Sequence, residues 1–138
     1  MNDCVFCKII EGALPAHKIW EDERFLAILD INPNTPGHTL LLPKAHVPYV
    51  FDLEENLYSS LFTTAKTLSP VLLEATHAKR IGVVIQGFTV PHVHVHLVPM
   101  NDVHDLDESR ATPASESILS SMSLKLQRAI SRNRNLEV

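Results

Sequence analysis

The segment His92-Val93-His94-Val95-His96, followed by Leu97-Val98-Pro99, alternates strictly between imidazole and apolar side chains. A period of two belongs to a β-strand, where it turns all three rings to one face while the valines pack behind. The valine side must then be covered by other elements. The histidine side must hold three groups that repel one another once protonated and gain little as packing. A neutral imidazole serves as nucleophile, base, hydrogen-bond relay or metal ligand, so the row points to chemistry. The plainer alternative is a solvated face carrying histidines by chance. Three in register, flanked by β-branched residues, argue against it.

A chain of 138 residues with 45% hydrophobic and 20% charged residues fits one compact domain, 1–138, around a single core. Apolar runs such as Thr39 to Leu42 and Ile81 to Ile85 are far too short to span a bilayer. The first residues lack a basic segment followed by an apolar signal core, so the expectation is a cytoplasmic protein without a membrane partner. A net charge of -4 and the lack of any long Lys or Arg run argue against nucleic acid as a partner. Of the eight histidines, four fall between His92 and His104. The only cysteines, Cys4 and Cys7, are spaced C-x-x-C, which is half a zinc site or a redox pair. The following Lys8-Ile9-Ile10-Glu11-Gly12 gives no thioredoxin-like unit, and a closed zinc site needs two further ligands.

Local patterns outline the elements. Val5 to Ile10 reads as a short helical turn ended by Gly12 and Pro15. His17 to Trp20 and Phe25 to Leu29 read as a hairpin across the charged Glu21 to Arg24 turn, and His38 to Leu42 as a buried strand after the Asn32 to Gly37 loop. Asp52 with Glu55 suggests a capping box for a long helix carrying Leu57, Leu61, Ala65, Leu68, Leu72 and Ala75 on one face and ending near His77. Pro70 within it should kink or divide it near Ser69. Arg80 to Gln86 and Val93 to Val98 supply the last two strands, Asn101 to Arg110 a loop. A final helix starts at Thr112-Pro113 with Ile118, Met122, Leu126 and Ile130 as its apolar stripe. The class is α+β: a mainly antiparallel five-stranded sheet with one long helix and a C-terminal helix.

Cys4-Val5-Phe6-Cys7-Lys8-Ile9-Ile10, the Glu21-Asp22-Glu23 turn, Leu29-Asp30-Ile31, the run Pro36 to His46 and the His-x-His-x-His strand occur in that order. From about residue 4 to residue 99 this set resembles the histidine triad (HIT) family of nucleotide hydrolases and transferases; residues 100–138 carry no matching motif. The resemblance implies a HIT-like fold and cleavage at the α-phosphate of a nucleoside 5'-phosphate conjugate through a nucleotidyl-histidine intermediate. The conjugate would be a phosphoramidate, an aminoacyl-adenylate or a dinucleoside polyphosphate. His94 matches the nucleophile, its tautomer set by the main-chain carbonyl of His92, and His96 matches the phosphate donor. His38 matches the family's fourth, supporting histidine, and a hydrogen-bonded core role compatible with that support is its alternative. Asp30 matches the ribose-binding acid, and a turn role before Asn32-Pro33 is its alternative. Phe6, Ile9, Leu14 and Ile31 match the apolar clamp on a purine base, and Thr89 a phosphate-contacting hydroxyl. One branch of the family holds structural zinc at positions matching Cys4, Cys7, His46 and His92, a closed tetrahedral set. A homodimer through the long helix and its neighbouring strand is also implied.

The resemblance breaks at Ile85-Gln86-Gly87-Phe88-Thr89-Val90-Pro91, where Phe88 stands in place of the family's usual Gln. An apolar ring cannot donate to a leaving-group oxygen, so either Gln86 substitutes or the leaving-group preference differs. Two other functions stay open at this point. One is a metallohydrolase with His92, His94 and His96 on one catalytic metal. The other is a non-catalytic nucleotide-binding or adaptor protein.

Overall fold

The computed structural model describes residues 3–137. Its five strands are β1 (Lys18–Glu21), β2 (Phe25–Leu29), β3 (Thr39–Pro43), β4 (Arg80–Val84) and β5 (Val95–Met100). They form one antiparallel sheet in the order β1-β2-β3-β5-β4. The helices are α1 (Val5–Ile10), α2 (Glu55–Thr76) and α3 (Glu116–Ser131). The α+β class with a five-stranded antiparallel sheet is as expected. Among the described residues, no helix is long and apolar enough to cross a membrane.

Strand β2 is buried at every position because strands flank both its edges and helices cover both its faces. Phe25, Ala27 and Leu29 join Leu41, Val93, Val95 and Leu97 beneath α2 and α3. Leu26, Ile28, Leu40 and Leu42 pack on the opposite face against Cys4, Phe6, Cys7 and Ile9. Each fully buried side chain of this size contributes about 1.5–3 kcal/mol. The valines between the histidines therefore face the main core, and the imidazoles share the α1 side.

The regular part of β5 begins only at Val95, so His92 and His94 precede it rather than lying within it. Pro43, at the end of the neighbouring strand, has no N–H to continue the ladder. Its carbonyl accepts from the His92 ring at 2.8 Å, and the Val93 N–H donates to the Val47 carbonyl at 2.8 Å, so neither continues the ladder. Strand β4 likewise stops at Val84, which releases Gln86 into a loop.

The structure differs from four further expectations. The N-cap of α2 is Glu54, whose carboxylate accepts from the N–H groups of Asn56 and Leu57, while Asp52 sits in a preceding 3-10 turn. Helix α2 runs undivided across Pro70. Burial of Leu61, Leu68 and Leu72 on both sides of that proline outweighs one lost backbone bond. Helix α3 starts at Glu116 behind the Ser115 cap, and its buried stripe is Leu119, Ser123, Leu126 and Ile130, leaving Ile118 exposed. A register bulge in β1 between Lys18 and Trp20 leaves the Lys18 carbonyl to accept from Gln127 Nε2 at 2.6 Å and from Ser123 Oγ at 3.2 Å. Those bonds seat α3 on the edge strand. Asn101 to Arg110 is more ordered than a plain loop, with 3-10 turns at Val103–Leu106 and Glu108–Arg110 capped by Asp102 and Asp107.

Candidate active site and metal centre

Backbone groups of known polarity fix the protons on four histidines. A carbonyl only accepts, so His94 donates from Nδ1 to the His92 carbonyl at 2.7 Å, leaving the other ring nitrogen, Nε2, with its lone pair. An amide N–H only donates, so His38 Nδ1 accepts from Asn34 N–H at 3.0 Å and its Nε2 carries the proton. That Nε2 donates to Nδ1 of His96 at 3.0 Å, so neutral His96 is protonated at Nε2. His92 donates from Nε2 to the Pro43 carbonyl at 2.8 Å, which turns its Nδ1 lone pair toward the cysteines. Fold geometry thus gives His94 the opposite tautomer from His92 and His96, which both carry the proton on Nε2.

Burial is the largest influence on each of these rings and pushes its pKa down, disfavouring the charged form. His96 falls lowest, to about 4, because the neighbouring His94 and His38 add to the effect of burial. Asp30 opposes these shifts at His38, His94 and His96. Its Oδ2 lies 3.6 Å from His38 Nε2, and its Oδ1 accepts from the Asn32 N–H at 2.9 Å. At neutral pH the rings are uncharged and able to bond rather than repel.

His38, His94, His96 and Asp30 line one cavity of about 510 Å³. Phe6, Ile9, Leu14 and Ile31 form part of its apolar wall, and Gln86 and Thr89 approach from the loop after β4. The ring of Phe6 stands edge-on to His94 with centroids 4.8 Å apart. The cavity size and its few convergent polar groups suit a small-molecule ligand. Every residue expected at the nucleotide site lines this space, whereas the His92 ring does not and touches it only through its neighbours.

The His92 ring belongs to a second cluster. Its Nδ1 lies 3.4 Å from Cys4 Sγ, 3.5 Å from Cys7 Sγ and 3.2 Å from His46 Nδ1, and Cys7 Sγ lies 3.3 Å from His46 Nδ1. A tetrahedral zinc with two thiolates and two imidazoles needs donor separations of about 3.3–3.8 Å, so the donor set fits the ion. The Pro43 carbonyl fixes the ligating tautomer of His92, as an outer-shell partner does. No metal-sized grouping among the described residues contains His92, His94 and His96 together. The other grouping, Asp30 with His38 and His96, is a poor metal site, since the bond from Asn34 keeps the proton on His38 Nε2.

Part of the cavity wall was not foreseen. Leu106 and Glu108, within the Asn101 to Arg110 segment, and Ala111 just after it close one side. Asn34 Nδ2 holds that segment by donating to the carbonyls of Asp105 and Asp107 at 3.0 and 3.3 Å, and Thr112 and Ala114 donate to the carbonyls of Pro33 and Ile31. Gly82 leaves room for Leu106, since a Cβ there would meet its Cδ1 at 2.8 Å. The Asx caps at Asp102 and Asp107 are visible as local signals, but which wall they would meet is a matter of contacts remote in sequence.

Comparison with known proteins agrees with this architecture. The HIT domain family model matches residues 11–103. An adenylylsulfatase, HINT3, of Arabidopsis thaliana is 34% identical over 106 residues, covering 73% of this chain and 54% of that protein. The adenosine 5'-monophosphoramidase HNT1 of Saccharomyces cerevisiae is 34% identical over 100 residues, covering 72% and 63%. The chain thus spans about half to two thirds of the length of these two relatives. The crystal structure of a zinc-bound histidine triad family protein from Mycobacterium smegmatis superposes with a TM-score of 0.80 at 29% identity, covering 98% of each chain. With the family model matching more than half of the sequence, and the fold and ordered histidines agreeing with it, the chain belongs to the HIT family.

Proposed function

We propose that the protein hydrolyses nucleoside 5'-phosphate conjugates at the α-phosphate through a covalent nucleotidyl intermediate on His94. The observation that carries this reading is the 2.7 Å bond from His94 Nδ1 to the His92 carbonyl, which leaves an uncharged nitrogen lone pair on a ring lining the cavity. A phosphoryl centre surrounded by oxyanions repels a charged nucleophile, and a neutral imidazole avoids that cost. The names of the Arabidopsis and yeast relatives are consistent with this chemistry.

In the proposed reaction Nε2 of His94 forms a bond to the α-phosphorus as the bond from phosphorus to the leaving group breaks. The leaving group departs with the bonding pair and takes up a proton. Water then adds to phosphorus, the bond to Nε2 breaks, and the nucleoside 5'-phosphate is released with a proton. His96, protonated at Nε2 by the relay from His38, donates to a non-bridging oxygen where charge develops. Asp30 accepts from the ribose hydroxyls, Phe6, Ile9, Leu14 and Ile31 hold a purine base, and Gln86 and Thr89 contact the phosphate. Cys4, Cys7, His46 and His92 would hold a structural zinc, which supplies stability and no step of the chemistry. The exposed aromatic residues Tyr49, Phe51 and Phe62, with Val83 on β4, favour a homodimer through α2 and β4.

Trapping tests the mechanism. Wild-type protein quenched during turnover of phosphorus-labelled adenosine 5'-phosphoramidate is expected to carry acid-labile label, and His94→Ala to carry none and to lose turnover. Unlabelled wild type, together with equal turnover by both proteins, overturns the reading.

A further inference from the structure

Helix α1 carries part of the cavity wall and half of the cysteine–histidine cluster. Cys4 caps it and Cys7 lies on its first turn, and Phe6 and Ile9, interleaved with them, line the cavity. Among the described residues, no backbone hydrogen bond joins residues 4–16 to the rest of the chain; the bonds this segment makes, such as those from Ala13 and Leu14 to the Lys8 carbonyl, close on itself. Its polar ties to the body are the contacts of Cys4 Sγ and Cys7 Sγ with the His92 and His46 rings. The remaining hold is apolar packing on Leu26, Ile28, Leu40 and Leu42, which fixes no direction. A helix of six residues cannot stand unaided in water. Asp30 and His38, by contrast, are joined through the backbone, the Asp30 N–H donating to the His38 carbonyl at 3.0 Å. The two Sγ atoms lie within 4.8 Å of each other, and exposed His46 leaves one side of the cluster open to solvent.

We propose that Cys4 and Cys7 are positioning residues for the nucleotide base, and that a hydroperoxide, by joining them, switches nucleotide binding off. The proposal rests on the nucleotide-site reading above and adds a control to it. One thiolate attacks the peroxide O–O bond, giving a sulfenic acid and releasing hydroxide. The other thiolate attacks that sulfur, forming the S–S bond and expelling a second hydroxide. Two electrons pass from the sulfurs to the peroxide, two protons from solvent complete two waters, and the disulfide no longer binds a metal. The wall of Phe6 and Ile9 then loses its anchor, while His94 and His96 keep their own hydrogen bonds.

The test uses the full chain loaded with zinc and measures AMP affinity by titration calorimetry, zinc release and amide hydrogen exchange. Hydrogen peroxide is expected to form the disulfide, release the zinc and raise the Kd for AMP roughly tenfold to a hundredfold, the scale of one base-stacking contact, with faster exchange confined to residues 4–14. Dithiothreitol with added zinc should reverse all of these changes. His46→Ala, a change outside both α1 and the cavity, should lose zinc and weaken AMP binding by the same factor, and His46→Cys, which rebuilds a closed four-ligand set, should regain both. Chelation of zinc from wild type supplies the same comparison without a substitution. A merely structural role lowers Tm and leaves the Kd of the folded protein unchanged, which overturns the proposal, as does an affinity loss that dithiothreitol and zinc cannot reverse. AMP binding indifferent to oxidation and zinc defeats this inference alone, whereas no binding of AMP by the zinc-loaded wild type defeats the nucleotide-site reading as well.

Discussion

His38 Nε2 donates to His96 Nδ1 at 3.0 Å, and that bond fixes which nitrogen of His96 is left to donate into the cavity. His38 can hold this tautomer because the Asn34 main-chain N–H occupies its other nitrogen. Replacing His38 by Phe keeps the bulk and removes the proton relay. The expected result is a fall in kcat of about ten- to a hundredfold, smaller than the loss of a direct donor, with a lesser change in KM. Steady-state kinetics of His38→Phe beside His96→Ala, which should lose 10²- to 10³-fold, check it.

The Asn34 side chain has a separate task from its main-chain N–H. Its amide holds the carbonyls of Asp105 and Asp107, which bring up the wall containing Leu106 and Glu108. Asn34→Ala retains the N–H that sets His38 but frees the wall. KM should rise about three- to tenfold with kcat nearly kept, as expected when ground-state and transition-state binding are lost equally. An equal loss in kcat would mean the wall acts on the chemistry.

Metal analysis addresses the cluster of Cys4, Cys7, His46 and His92. Protein purified without chelator should contain about one zinc per chain, and Cys7→Ser should lose it along with several kcal/mol of stability. His94→Ala should keep the metal, because its ring is directed to the cavity. Zinc content and Tm measured on the same samples decide the matter independently of activity.

Acid should destabilise the fold through His96. Its pKa is about 4 when folded against 6.5 for an ordinary histidine, so the unfolded chain binds more protons between those values. This contribution to stability is fully present above pH 6.5, declines as pH falls toward 4, and levels off below. After allowance for partial solvent access its size is of order 2 kcal/mol. Urea unfolding of wild type and His96→Gln between pH 7 and pH 4.5 should show the smaller acid loss in the variant.

At the far end of the sheet, Gln127→Ala removes a 2.6 Å bond to the Lys18 carbonyl exposed by the β1 bulge. The expected loss is about 1 kcal/mol, since Ser123 still reaches the same oxygen. Chemical denaturation with an unchanged m-value would verify it.

Local pattern by itself determined the element types, the sheet's period and which face each strand would bury. Side-chain alternation and helical spacing are properties of a few adjacent residues, so Leu61 to Ala75 and Val93 to Leu97 reveal their faces without neighbours. The ordered motifs also named the residues that gather at the cavity. Tertiary structure decided what distinguishes the other two histidines of the row. The His92 carbonyl that sets His94 lies only two residues away, but the Pro43 carbonyl and the His38 ring that assign the protons of His92 and His96 arrive by folding. The end of the ladder at Pro43, the wall of Leu106 and Glu108, and the bulge that receives Gln127 arise in the same way. Each depends on a donor or acceptor brought near by folding from many residues away, and no local spacing encodes which partner will arrive.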